Sequence, residues 1–235
     1  MESGVFEKAS FRIAGDCGLL IEYGNAIDPA VNQKVRSMAI VVQNNMPGGV
    51  IEIIPTYRSI LIYYDPLITK PSLLKETLID LESGLSEIKI PPPRVVEIPV
   101  CYGGEYGPDI EHVAQSHNLT IEEVMHLHSE PEYLIYMVGF TPGFPFLGGL
   151  PEVLHTPRLE TPRTLVPEGS VGIAKNQTGV YPIASPGGWQ LIGRTPLKLF
   201  LPEQENPILY QAGDRIRFKP ISTNEYQELA AKEVV

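Results

Sequence analysis

Three arginines, Arg158, Arg163 and Arg194, sit beside Pro/Gly turns in the stretch Gly139–Phe200. A guanidinium pairs bidentately with carboxylate or phosphate, so this trio points to an anionic ligand. The surrounding residues from Val138 to Leu201 include three acids and five bases, a local positive excess in a chain of net charge −10. Between the arginines lie Gln177, Tyr181, Ser185-Pro186-Gly187-Gly188 and Trp189-Gln190. They offer amide, hydroxyl and aromatic groups together with a glycine turn whose successive amides can cradle an anion. A small polar ligand such as an amide or lactam fits that set, and so does a wet protein interface. His128 is a candidate for proton transfer, because an apolar helix face would carry it to the start of this stretch. Neither Ser170 nor Ser185 stands in a GxSxG elbow, and Walker A and GxGxxG patterns are missing. His126 and His128 would point to different helical faces, so no metal site is expected.

The elements that must position these groups fall into two parts. Up to residue 90 the pattern reads βαββα. A strand or hairpin covers Ser10–Tyr23, and Asp28-Pro29 opens a helix with Val31, Val35, Met38 and Val42 on one face. Strands follow at Val50–Ile54 and Ser59–Tyr64, and then a helix over Pro71–Leu85. One further strand would complete a ferredoxin-like α+β sandwich. Ile90-Pro91-Pro92-Pro93 reads as a semi-rigid linker, dividing the chain into 1–90 and 91–235. Beyond it, Arg94–Tyr102 is a strand, Asp109 is placed to cap a short helix, and Thr120-Ile121-Glu122-Glu123 is a capping box. Tyr133–Phe140 leads into the Pro/Gly stretch. Further strands are expected at Val171–Ala174, Val180–Ile183, Trp189–Ile192, Leu197–Leu201 and Arg215–Lys219, with a terminal helix after Ile221. Many short strands, Pro/Gly turns and few helices predict a mainly-β, closed or nearly closed barrel.

Composition limits the function classes. The acidic balance argues against nucleic acid as a partner. No apolar run reaches the ~18 residues of a membrane span, and the first residues lack the pattern of a signal peptide. Cys17 and Cys101 are far apart, so a reduced, cytoplasmic protein without disulfides is expected.

Over nearly its whole length the chain resembles the KipI/PxpB family. The resemblance rests on Gly15-Asp16, Ser59-Ile60-Leu61 with Tyr64-Asp65-Pro66, Pro99–Gly104 with Gly107-Pro108-Asp109, and His128-Ser129. It continues through Gly139–Pro151, Pro157-Arg158, Thr161-Pro162-Arg163, Val166–Ala174, Gly179–Pro182 and Ser185–Pro196. It implies an N-terminal α+β domain and a C-terminal cyclophilin-like barrel. The activity it implies is that of a subunit of ATP-dependent 5-oxoprolinase, inactive alone, which opens 5-oxoproline to glutamate. Its partners would be a KipA/PxpC-family subunit and a PxpA subunit of the LamB/YcsF type. ATP would enter as a co-substrate, held by this chain or by a partner. The alternative implied is a regulator that binds and inhibits a sensor histidine kinase. In the enzyme, His128, Arg163 and Arg194 are the expected catalytic groups. Thr141, Pro142, Gly143, Phe144, Phe146, Arg158, Gln177, Tyr181, Ser185, Gly187, Trp189 and Gln190 are the expected substrate or interface contacts.

Overall fold

A computed structural model describes residues 4–85 and 92–232, which form two compact units dividing between Pro92 and Pro93. Ile90 and Pro91 of the expected linker lie outside the described residues.

The first unit runs β1 (Val5–Ala14), β2 (Gly18–Gly24), α1 (Pro29–Asn45), β3 (Val50–Pro55), β4 (Ser59–Tyr64) and α2 (Pro71–Ser83). Its antiparallel sheet has the order β1-β2-β4-β3. The element order is thus ββαββα. Ser10–Tyr23 lies in the β1–β2 hairpin, so the unit has one strand more than the sequence pattern indicated. Asp28 begins α1 as its sequence promises, with Oδ1 accepting from the Ala30 amide at 2.7 Å. Val31, Val35, Met38 and Val42 are buried against Leu74 and Leu78 of α2 and the alternating Leu19, Ile21, Ile60 and Ile62 of the sheet.

The second unit contains β5 (Val95–Tyr102), α3 (Ile110–Ser116), α4 (Ile121–Ser129), β6 (Tyr133–Val138) and β7 (Pro145–Gly148). It continues with β8 (Arg163–Val166), β9 (Ser170–Ala174), β10 (Gln177–Val180), β11 (Ser185–Gly187), β12 (Gln190–Arg194), β13 (Arg215–Pro220) and α5 (Thr223–Lys232). Seven strands share one sheet in the order β10-β9-β12-β5-β13-β6-β7, and β8 pairs with β11. The edge strands β7 and β10 approach each other, so the sheet curls into a nearly closed barrel. Ile98, Val100, Ile135, Val171, Ile173, Ile192 and Phe218 fill it, and Val113 and Val124 of the helices close one side. At ~1.5–3 kcal/mol per fully buried aliphatic or aromatic side chain, this cluster dominates the unit's stability.

Two strand expectations shift. Val180–Ile183 becomes Gln177–Val180, because Pro182 has no amide to continue a ladder. Leu197–Leu201 forms no strand, only a bridge from Phe200 to Ile208. At its centre the sheet is locked by Asp214. Its carboxylate accepts from the Arg94 amide, from Arg94 Nη2 at 2.5 Å and from the Gln211 amide. Burial alone would raise the Asp214 pKa; these hydrogen bonds hold it below the ordinary carboxylate value.

Candidate functional site

The Pro/Gly stretch builds an aromatic cleft of about 330 Å³. Its walls are Phe140, Phe144, Phe146, Tyr181 and Trp189, with Arg158, Pro162, Pro186, Gly187 and Gly188 at the mouth. Phe144 is the hub. It makes edge-to-face contacts with Phe146, Tyr181 and Trp189 at 5.1, 5.7 and 5.8 Å, each adding ~0.5–1.5 kcal/mol beyond area burial. The turn before it explains the local Pro/Gly chemistry. Phe144 N–H donates to Thr141 O, Gly143 takes a φ of +81° that suits glycine, and Tyr210 Oη donates to Gly143 O at 2.7 Å. Phe140, in the same turn, has φ +68° and is 77% exposed. A bulky residue in the left-handed region is strained, and such strain clusters at functional sites.

The backbone on either side of Arg158 is held in place. Leu159 N–H donates to Gly188 O at 2.8 Å, and Gln190 Nε2 donates to Pro157 O at 3.0 Å. The residues flanking Arg158 are therefore tied to the residues flanking Trp189. The guanidinium lies over the indole, 5.9 Å from its centroid. Among the described residues Arg158 has no carboxylate partner. The Tyr181 hydroxyl also stands free of hydrogen bonds within the described residues, and Gly187 makes room for it, since a Cβ there would come within 2.5 Å of the oxygen. Burial pushes the Tyr181 pKa up to about 12, against the opposing pull of Arg158 and Arg163. It is thus a neutral hydroxyl at physiological pH, able to donate or accept.

The other expected arginines, Arg163 and Arg194, are placed differently, each engaged with a partner from the protein. Arg163 donates from Nη2 to Asp109 Oδ1 at 2.7 Å and from Nη1 to Trp189 O at 3.2 Å. Asp109 does not cap α3 with its side chain; its second oxygen accepts the Leu191 amide at 2.6 Å. Arg163 therefore props the floor of the cleft through Asp109. Arg194 donates from Nε to Glu168 O at 2.7 Å and does not line the cleft.

His128, too, is placed differently. It is fully buried in the barrel, stacked on Phe218 with centroids 4.8 Å apart. Nδ1 meets Tyr102 Oη at 2.8 Å and Nε2 meets Thr178 Oγ1 at 2.7 Å. Thr178 gives its only proton to Gly172 O at 3.1 Å, so Nε2 must carry the imidazole hydrogen and Nδ1 must accept from the tyrosine. Burial lowers its pKa to about 3. It is a neutral core group that joins α4 to the strands, remote from any acid–base role at the mouth.

Of the expected contacts, Phe144, Phe146, Arg158, Tyr181, Gly187 and Trp189 come together in the cleft. Thr141, Pro142 and Gly143 shape the turn behind it, and Gln190 seats Arg158. Ser185 is buried next to the lining Pro186, and Gln177 opens β10 without reaching the cleft. Pro186 and Gly188 join the lining from the glycine turn that the sequence marks as a candidate cradle, and Phe140 and Pro162 complete it without having been singled out as contacts. Proline and glycine report where the chain turns, not which surface it presents. Among the described residues no cluster of His, Cys, Asp and Glu could hold a metal ion.

A two-unit α/β protein, with a barrel bearing an aromatic cleft, is the class these features define. Residues 9–210 match the family described as carboxyltransferase domain, subdomain C and D. The chain is 45% identical over 224 residues to the B-type subunit of 5-oxoprolinase from Bacillus subtilis (strain 168), covering 90% of this chain and 92% of that one. It is 46% identical over 193 residues to the protein of the same name from Haemophilus influenzae, covering 81% and 89%. The crystal structure of TTHA0988 superposes with a TM-score of 0.77 at 36% identity, over 87% of this chain. This chain spans only 39% of TTHA0988, which is the longer polypeptide. The chain belongs to the carboxyltransferase subdomain C and D family and, within it, to the KipI/PxpB type.

Proposed function

We propose that the protein is the B-type subunit of an ATP-dependent 5-oxoprolinase, working in the cytoplasm with a KipA/PxpC-family subunit and a PxpA subunit. The observation that carries this reading is the 45% identity to the Bacillus subtilis 5-oxoprolinase subunit across nine-tenths of both chains. The names of these relatives do not favour the kinase-inhibitor alternative.

A lactam carbonyl is a poor electrophile, so ring opening needs activation. ATP would supply it by phosphorylating the carbonyl oxygen with release of ADP; water then adds at the carbon, the ring C–N bond breaks as the nitrogen takes a proton, and a second water displaces phosphate from the resulting acyl phosphate to give the free carboxylate. The role of this chain is to hold and orient. The aromatic walls pack against the faces of the ring and orient it, and Arg158 balances negative charge at the mouth. One guanidinium without a carboxylate partner matches a single negative charge better than a triphosphate, which supports the reading that a partner chain binds ATP. The chain alone is then inactive. The test is ATP-dependent release of glutamate from 5-oxoproline by the three reconstituted subunits. Activity that vanishes when this chain is omitted is expected. Undiminished activity without it would refute the proposal.

A further inference from the structure

We infer that the cleft is a preformed seat for a small cyclic monocarboxylate, with Arg158 as the carboxylate anchor and the aromatic box around Phe144 as the slot for the ring. If the proposed function holds, that ligand is 5-oxoproline itself, bound in the absence of nucleotide.

Four observations converge. The volume of about 330 Å³ lies at the low end for small-molecule sites. The walls are edge-to-face aromatics, held rigid by their mutual contacts. They therefore offer a flat ring apolar faces without first having to reorganise. The guanidinium of Arg158 is the cation in the lining; the backbone on either side of it is held by the hydrogen bonds Leu159 N–H to Gly188 O and Gln190 Nε2 to Pro157 O, and the guanidinium itself lies over the Trp189 indole. The lining also carries the Tyr181 hydroxyl, which is accommodated only because residue 187 is glycine. A carboxylate bridging guanidinium and hydroxyl would satisfy both. Arg163, spent on Asp109, cannot take this part.

The chain contains a single tryptophan, and it is Trp189 in the cleft. Its emission therefore reports occupancy directly. Titration with 5-oxoproline, of the chain and of the assembled complex, should give a saturable change without ATP. The uncharged ring 2-pyrrolidinone should give none over the same range. Arg158→Gln should weaken binding at least ~10-fold, the loss expected when a charge-assisted hydrogen bond is removed. Arg158→Lys should fall between, and Tyr181→Phe should cost a few-fold. The midpoint of thermal unfolding, measured alongside, should stay unchanged in Arg158→Gln. A silent titration in both chain and complex, equal binding of 2-pyrrolidinone, or undiminished binding by Arg158→Gln would overturn the inference.

The outcomes also separate the two proposals. An active complex whose KM for 5-oxoproline is unmoved by Arg158→Gln removes the seat and leaves the function. Arg158-dependent binding with no ATP-dependent glutamate release by any complex keeps the seat and removes the function.

Discussion

His128 shows how one buried side chain can tie stability to pH. In the unfolded chain an imidazole titrates near 6.5, whereas in the barrel burial holds it neutral down to about 3. Between those values the unfolded state binds a proton that the folded state refuses. This contribution is thus fully present above pH 6.5 and is lost progressively as pH falls toward 3, at up to ~1.4 kcal/mol per unit. From pH 6.5 to 5, before the carboxylates titrate strongly, the loss amounts to ~2 kcal/mol. Urea unfolding of His128→Gln should therefore give a flatter pH dependence over that interval than the parent chain. Parallel curves would place the imidazole in contact with solvent. At the same scale, Asp109 joins two elements with one carboxylate. Asp109→Ala strands the partly buried Arg163 and the Leu191 amide, and should cost ~2–4 kcal/mol by chemical denaturation.

Among the elements, loops decide the cleft, and glycine contacts decide the loops. A Cβ on Gly107 would come within 2.1 Å of Ile192 O, a backbone atom of β12 that cannot swing away. Gly107→Ala should push the loop before α3 off β12, pulling Asp109 from Leu191 and Arg163. The expected result is a drop of several degrees in Tm together with a shift in Trp189 emission. Unchanged emission would show that the Asp109 prop is dispensable. Helices are largely readable from sequence, because caps and apolar spacing are local: Asp28 before α1 and the Thr120–Glu123 box before α4 act as their residue types imply. The roles of the arginines are not readable. Arg158, Arg163 and Arg194 sit in similar Pro/Gly surroundings, and their difference comes from Asp109 and Glu168, which folding brings from elsewhere in the chain. Asp109 itself reads as a helix cap, since nothing local reveals that a carboxylate has a better partner 54 residues away. His128 gives its helix face correctly but not its depth. The short strands β7, β8 and β11 are hidden for a related reason: three or four residues between prolines carry too little alternation to register.

For the whole molecule, the sheet order matters more than any single strand. β13 lies between β5 and β6, pairing parallel with the former and antiparallel with the latter. Asp214, just before β13, fastens that junction by accepting from Arg94, 120 residues earlier. Asp214→Ala should lower stability by ~3 kcal/mol, because it leaves a guanidinium and two amides without their acceptor. It should also slow refolding, since the longest loop in the unit loses the contact that rewards its closure. A faster unfolding rate with refolding untouched would mean that this junction forms only after the barrier.

The same junction sets an order of events during synthesis. A ribosome that has reached residue 200 has already delivered the whole lining of the cleft, yet not the strand against which β5 and β6 align. The site can therefore take shape only once translation has passed residue 220. Until then, the open borders of two strands are offered to chaperones and to neighbouring nascent chains.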